Sequence, residues 1–238
     1  MDNASYVQIT RQTGLVAQMR TVANNIANAD TTGFRGETVI FSEFVRRTGD
    51  GATLSMATAR VRDTVTAQGP LERTDGPFDL AVEGEGFFMV ETPDGQRLTR
   101  AGRFQPNDAG DLVTPEGHRV LDAGGAPLFV PPGAAVGIAP DGTLSADGLP
   151  IGQVGLVVPR DPLSLTREAG TLFRADAGVD PAPGARMLQG FLEGSNVDPV
   201  LEVARMIEVG RAYEMGQGLL EREDERVRKT IQAIQTTR

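Results

Sequence analysis

The sequence predicts a mainly β protein with α-helical termini: a central all-β domain flanked by N- and C-terminal helices. Three observations carry this. Near the start, apolar residues recur at three and four within a proline-free stretch; towards the end, an apolar residue returns every seven positions; between them, short apolar runs are punctuated by turn pairs such as Asp94-Gly95 and Asp141-Gly142.

The first element occupies residues 5–29, where Leu15, Val16, Met19, Val22, Ala23, Ile26 and Ala27 fall at helical spacing. Such a helix has about 25 residues and is roughly 38 Å long at about 1.5 Å per residue. Leu15, Met19, Val22 and Ile26 form one stripe, and Asp30-Thr31-Thr32-Gly33 closes the helix with a glycine free to turn left-handed. Gln8, Gln12 and Gly14 interrupt the stripe, so the first half of the helix is expected to need support from outside the chain.

Residues 34–77 lack clear periodicity, and with Val39, Ile40, Phe41 and Phe44 they read as an extended arm or linker with some local packing. The strands are expected over 78–190, in segments such as Phe87 to Val90, Leu112-Val113, Leu128 to Val130 and Val154 to Val158. Pro131-Pro132 and Pro181-Ala182-Pro183-Gly184 are loops.

A second long helix starts at Asp198-Pro199, because Asp accepts orphan amide protons while proline's fixed φ suits the first helical position. Met206, Tyr213, Leu220, Val227 and Ile234 then fall every seven residues. The companion row Val203, Gly210, Gln217, Asp224 and Ile231 is small or polar in its middle. One complete row beside one broken row predicts a helix that pairs closely with a neighbour but makes a poor self-sufficient zipper. Asp224–Arg228 and Glu225–Lys229 are i,i+4 pairs on a solvated face. The expected division is therefore 1–33, 34–77, 78–190 and 191–238.

Charge sharpens this division. The chain has 238 residues and a formal charge of −9, from 23 basic and 32 acidic side chains. The acidity sits in the middle, while the two ends are near neutral, as expected if the centre faces solvent and the ends meet other protein. An acidic chain does not hold phosphate backbones by bulk attraction, so nucleic acid is not an expected partner. Without cysteine and with a single histidine, His118, there are no thiolate nucleophiles, Cys-based zinc sites or paired imidazoles. No run of apolar residues is long enough to span a membrane, and the opening residues carry no secretory signal pattern.

Candidate sites for small-molecule chemistry are weak. Gly84-Glu85-Gly86 lacks the third glycine of a dinucleotide fingerprint. Asn107-Asp108-Ala109-Gly110-Asp111 has calcium-like composition but no bidentate Glu at the end of a twelve-residue loop. His118 stands alone in a predicted hairpin loop. No catalytic, cofactor-binding or metal-binding residue is assigned, and the chain is not expected to be an enzyme.

At Ala23-Asn24-Asn25-Ile26-Ala27-Asn28-Ala29-Asp30-Thr31-Thr32-Gly33-Phe34 the chain resembles the N-terminal signature of the bacterial flagellar axial proteins of rod and hook. Leu80 to Phe88, with Gly86, Phe87 and Phe88, continues through Thr99-Arg100-Ala101-Gly102-Arg103-Phe104 and is similar to the family's central β motif. Gln189 to Pro199, including Gly194, Ser195, Asn196 and Val197, together with Met206-Ile207-Glu208 and Arg211-Ala212-Tyr213-Glu214, resembles its C-terminal signature. Leu98 and Gly210 depart from the family's commoner Tyr and Gln. The modest length and the short 34–77 segment are most similar to the proximal rod members.

The resemblance implies a structural subunit of the flagellar basal-body rod. Its N- and C-terminal helices would pair as a coiled coil and polymerise into a hollow shaft that transmits torque and encloses the export channel. Expected partners are other rod subunits, proximal and distal, in a helical homo- or hetero-polymer, and the flagellar type III export apparatus. The implied location is the basal body across the periplasm, reached without a cleaved signal peptide. The alternatives are a distal rod or hook subunit and, in a different class, an acidic periplasmic β-domain enzyme or ligand-binding protein. On the family reading, Leu15, Met19, Val22, Ile26, Met206, Tyr213, Leu220, Val227 and Ile234 lie on assembly seams. Asn24, Asn25, Asn28, Thr32, Gly33 and Phe34 belong to the signature, the asparagine amides being suited to bonds between packed elements.

Overall fold

The structure, a computed structural model, describes residues 2–47 and 53–236, with side chains described at 8–40, 63–229, 232, 233 and 235. It is mostly β with two helices, α1 (Asp2–Ala27) and α2 (Pro199–Thr236). The chain divides into two compact units that are discontinuous in sequence. The first comprises Met1–Ala27, Glu37–Asp63 and Asp198–Arg238, and the second Asn28–Gly36 and Thr64–Val197.

In the first unit α1 lies against α2, and β1 (Glu37–Arg47) pairs with β2 (Thr53–Thr64) as a two-stranded sheet. The segment that lacks periodicity thus holds two long strands. Their sequences mix Val, Ile, Phe and Thr with charged residues in no strict alternation, so neither period stands out. α2 starts as its sequence directs: Asp198 Oδ1 accepts from the amides of Val200 and Leu201, at 2.9 and 3.1 Å, with Pro199 at the first helical position. The exposed pairs Asp224–Arg228 (2.8 Å) and Glu225–Lys229 (3.8 Å) are both formed.

The second unit is all-β. After β3 (Leu71–Arg73) and β4 (Leu80–Glu83), strands β5 (Phe87–Thr92) and β6 (Gly95–Thr99) form a hairpin with Met89 opposite Leu98. Among the described residues the hairpin sits inside a nine-stranded sheet, with Leu172–Ala175 beyond β6 and both Arg119–Val120 and Leu156–Pro159 paired to β5. A separate three-stranded sheet runs through Val136–Ile138, Thr143–Ala146 and Leu149–Gln153. Two short ladders join 186–189 to β4 and 191–193 to β3, bringing the end of the unit back to its beginning.

The continuous apolar run Phe87-Phe88-Met89-Val90 has a direct physical meaning: β5 is covered on both faces. Phe88 and Val90 enter one core with Leu80, Val82, Phe104 and Leu112, while Phe87 and Met89 enter another with Leu98, Leu121 and Phe173. Phe88 meets Phe104 edge to face at 5.2 Å, and Phe87 meets Phe173 at 5.7 Å. Gly102 allows this closure, because a Cβ there would stand 1.7 Å from the Leu80 carbonyl oxygen.

Candidate assembly site

The seam of the first unit is built from α1 and α2. On α1, Leu15, Thr21, Val22 and Asn25 are buried, and Met19 and Ile26 are half-buried. On α2, Met206, Tyr213, Leu220 and Val227 are all half-buried, and Ile234 lies outside the described side chains. The companion row differs from the expected one. Val203 is 47% exposed and Gln217 and Asp224 are exposed, whereas Glu202, Val209 and Gly216 are buried. Both rows keep a seven-residue repeat, and either can flank Met206 and Tyr213, at spacings of three or four. Choosing the flank that begins with an apolar valine led away from the true face, which begins with a glutamate and includes a glycine.

Gln8 and Gln12, expected to break the α1 stripe, lie on the seam. Gln12 Nε2 donates to the Tyr213 carbonyl at 3.0 Å, and Gln8 Nε2 donates to that of Gly216 at 3.2 Å. At the other end of the helix pair, Asn25 ties three elements together. Its Oδ1 accepts from the Glu37 amide at 3.0 Å, its Nδ2 donates to the Glu37 carbonyl at 2.9 Å, and the same nitrogen lies 3.2 Å from Glu202 Oε2. The side-chain amide thus pairs with the first residue of β1 as a neighbouring strand would, while holding a buried carboxylate of α2. Asn24 is exposed on α1 and Asn28 half-buried just after it; Thr31 Oγ1 lies 3.2 Å from Asn28 Oδ1.

Within the second unit, the signature residues converge on a buried charge cluster. Glu193, 1% exposed, takes Arg35 at 2.8 Å on Oε1 and Arg100 at 3.1 Å on Oε2, and Oε1 also accepts the Gly69 amide at 3.0 Å. Two guanidiniums against one carboxylate leave a buried excess of one positive charge. Backbone carbonyls absorb it: Thr66 and Ala67 accept from Arg35, and Val82 and Gly84 from Arg100. Burial pushes both arginines below their ordinary range, Arg100 to about 10, with the neighbouring Glu193 carboxylate opposing the shift. Arg100 remains charged at neutral pH.

Around this cluster, Asn196 works as a hub. Its Oδ1 accepts from the Gly36 amide at 2.6 Å, and its Nδ2 donates to the carbonyls of Val65 and Ala67 at 2.9 and 2.8 Å. Residues 36, 65 and 196 are all close to points where the chain leaves this unit. Gly33, at φ +69°, approaches so closely that a Cβ would stand 2.2 Å from the Ala101 amide nitrogen, and its own amide donates to the Glu193 carbonyl at 2.7 Å. Phe34 is buried, with the Arg167 guanidinium 4.4 Å from its ring centroid and 4.6 Å from that of Phe173. Gly86, Phe87, Phe88, Gly102, Phe104 and Ser195 are buried in the same unit, with Thr32, Gly194 and Val197 half-buried.

Sequence reasoning did not single out Arg35, Arg167, Glu193 or Glu202 as individual residues. The one available signal was a carboxylate directly after the apolar pair Phe191-Leu192, a position where a solvated charge is out of place.

The loop of calcium-like composition at 107–111 is a structural turn. Asn107 Oδ1 accepts from the amides of Ala109 and Asp111, anchoring a turn. An open groove of about 660 Å³ is lined in part by Asp141, Gln153 and Arg186, but Gln153 donates to the Asp141 carbonyl and the Asp141 carboxylate takes the Thr143 amide. Among the described residues, no helix is long and apolar enough to cross a membrane.

Three family models match along the chain: the flagella basal body rod protein model at residues 6–35, the flagellar hook protein FlgE/F/G D1 domain at 81–157, and the flagellar basal body rod FlgEFG protein C-terminal model at 188–233. Similar curated proteins include the flagellar basal-body rod protein FlgF of Caulobacter vibrioides, 38% identical with 98% of each chain covered. FlgF of Salmonella typhimurium is 33% identical over 94% of this chain and 95% of its own. FlgG of Bacillus subtilis is 29% identical over 95% and 97%.

Proposed function

The chain belongs to the flagellar basal-body rod protein family, most like its FlgF members, and from that premise we propose how this structural subunit of the rod assembles. α1 and α2 pair as an antiparallel coiled coil that forms the inner wall of a hollow shaft. Contacts that repeat head to tail without closing into a ring generate such a helical tube. The shaft transmits torque and encloses the export channel. Its neighbours are other proximal and distal rod subunits, and the chain reaches the periplasm through the flagellar type III apparatus without a cleaved signal.

One observation carries the assembly reading. At 3.6 residues per turn, Val200, Val203, Ile207 and Met215 gather on the side of α2 opposite Glu202, Val209 and Gly216. They are 78, 47, 53 and 65% exposed. A helix that packs one face inside the chain and keeps a second apolar face bare has a surface for a neighbouring subunit to cover. A distal rod or hook subunit is not favoured, since FlgF of Caulobacter vibrioides and of Mesorhizobium japonicum match at 38 and 37% identity against 29 and 30% for FlgG of Bacillus subtilis and of Caulobacter vibrioides. The relatives are rod proteins, consistent with a chain that is not an enzyme.

The test is the double substitution Ile207→Glu with Met215→Glu in a strain lacking the native gene. Both positions are exposed, so the purified variant should keep its stability to within about 0.5 kcal/mol. It should nevertheless fail to build rods or restore swimming. Normal swimming would contradict the reading.

A further inference from the structure

Glycine in the interior of a helix weakens it relative to alanine, so a buried glycine at a packing position calls for a reason. α2 has three glycines, and only one meets α1. A Cβ on Gly210 would meet open space, and one on Gly218 would come no nearer than 3.8 Å to the tip of Arg222. A Cβ on Gly216 would stand 2.2 Å from Gln12 Nε2 and 2.8 Å from Gln8 Nε2. The two amides occupy the notch left by the missing side chain and donate to the carbonyls of Tyr213 and Gly216.

This arrangement is a poor way to gain stability. Gln12 Oε1 is buried with no hydrogen-bond partner, a cost that leucine at the same position would avoid. Its gain is positional. The apolar contacts of Leu15, Met19 and Val22 with a heptad row tolerate a slide of seven residues, because Met206, Tyr213 and Leu220 repeat at that interval. Two amides fitted to one glycine do not, since a slide of seven would bring Val209 or Glu223 to that place. A buried polar pair that fixes register at a cost in stability is a known device of coiled coils.

We propose that Gln8, Gln12 and Gly216 set the axial register of the α1–α2 pair. The inference rests on the pairing of these helices in the assembling subunit, and goes beyond it by naming the residues that choose one alignment among several.

The native chain has no cysteine, so introduced pairs report register cleanly. Partner numbers fall along α2 as they rise along α1, as the Gln8–Gly216, Gln12–Tyr213 and Asn25–Glu202 contacts require. Met19 therefore stands near Met206, and Tyr213 is displaced from it by about 10 Å along the axis, beyond the reach of a disulfide. In the full-length chain, Met19→Cys with Met206→Cys should oxidise readily, and Met19→Cys with Tyr213→Cys should not. Adding Gln8→Leu and Gln12→Leu should raise the yield of the displaced cross-link at least fivefold while helical circular dichroism is retained. If that variant loses helicity, Gly216→Ala, which alters one methyl group, decides by the same increase. An unchanged yield of the displaced cross-link in a helical variant would overturn the register role alone. Failure of the native pair to cross-link in the otherwise unaltered chain would overturn the helix pairing as well.

Discussion

Glu193 illustrates how much one residue can hold. It is the single carboxylate between two buried guanidiniums, and its removal would leave both without a counter-charge inside the β unit. Breaking a buried ion pair from one side typically costs about 3–5 kcal/mol. Glu193→Ala is therefore expected to lower the urea midpoint of the purified protein by an amount equivalent to several kcal/mol; a change below about 1 kcal/mol would show that the carbonyls around Arg35 and Arg100 suffice. Glu193, like Arg100, lies in a recognisable block, and its place directly after Phe191-Leu192 is the one local sign that sets it apart from the other acidic residues. Its partners emerge only once the ladder joining 191–193 to β3 brings it beside residues far away in the chain. Gly33 was legible for a different reason, since a glycine following a helix announces a left-handed turn from local geometry alone.

At the scale of elements, legibility followed the strength of the period. α1 was expected at 5–29 and runs from Asp2 to Ala27, and α2 starts where Asp198-Pro199 directs. β1 and β2 were missed as strands because their sequences carry no clean alternation. The companion row on α2 was misassigned because hydrophobicity was used to identify a buried face that is made partly of Glu202 and Gly216. Glutamate is buried there with Asn25 as its partner, and glycine with two glutamines, so neither position reads as core in isolation. The complete row yields a prediction at this scale. Leu220 is half-buried on the seam, and Leu220→Asp places a charge there. Rod assembly and motility should be abolished, while melting of the β unit, followed by hydrogen exchange in 64–197, should be unchanged. Normal swimming with this substitution would remove Leu220 from the assembly surface.

For the whole molecule, the division of labour follows from where apolar surface is spent. The β unit buries Phe87, Phe88, Phe104 and Phe173 in two cores on either face of β5, and Phe129, Leu149 and Leu163 stay exposed as single residues outside them. The helical unit buries one face of α2 and leaves an apolar stripe of four residues exposed opposite it. In the assembly proposed above, a subunit travels as a monomer and then holds torque in a polymer, and a bare helical stripe suits both conditions. The sequence conveyed a division through near-neutral ends and an acidic centre, but not that the two units alternate along the chain, because β1 joins the helices only through contacts such as that of Asn25 with Glu37.

Limited proteolysis of the purified monomer beside intact basal bodies, with mass spectrometry of the surviving fragments, tests the assembly claim most directly. The monomer should be cut within 2–27 and 198–236 and leave a resistant fragment near 64–197, and the same ends should be protected in the rod. Ends as resistant in the monomer as in the rod would contradict the claim that neighbouring subunits complete the helical unit.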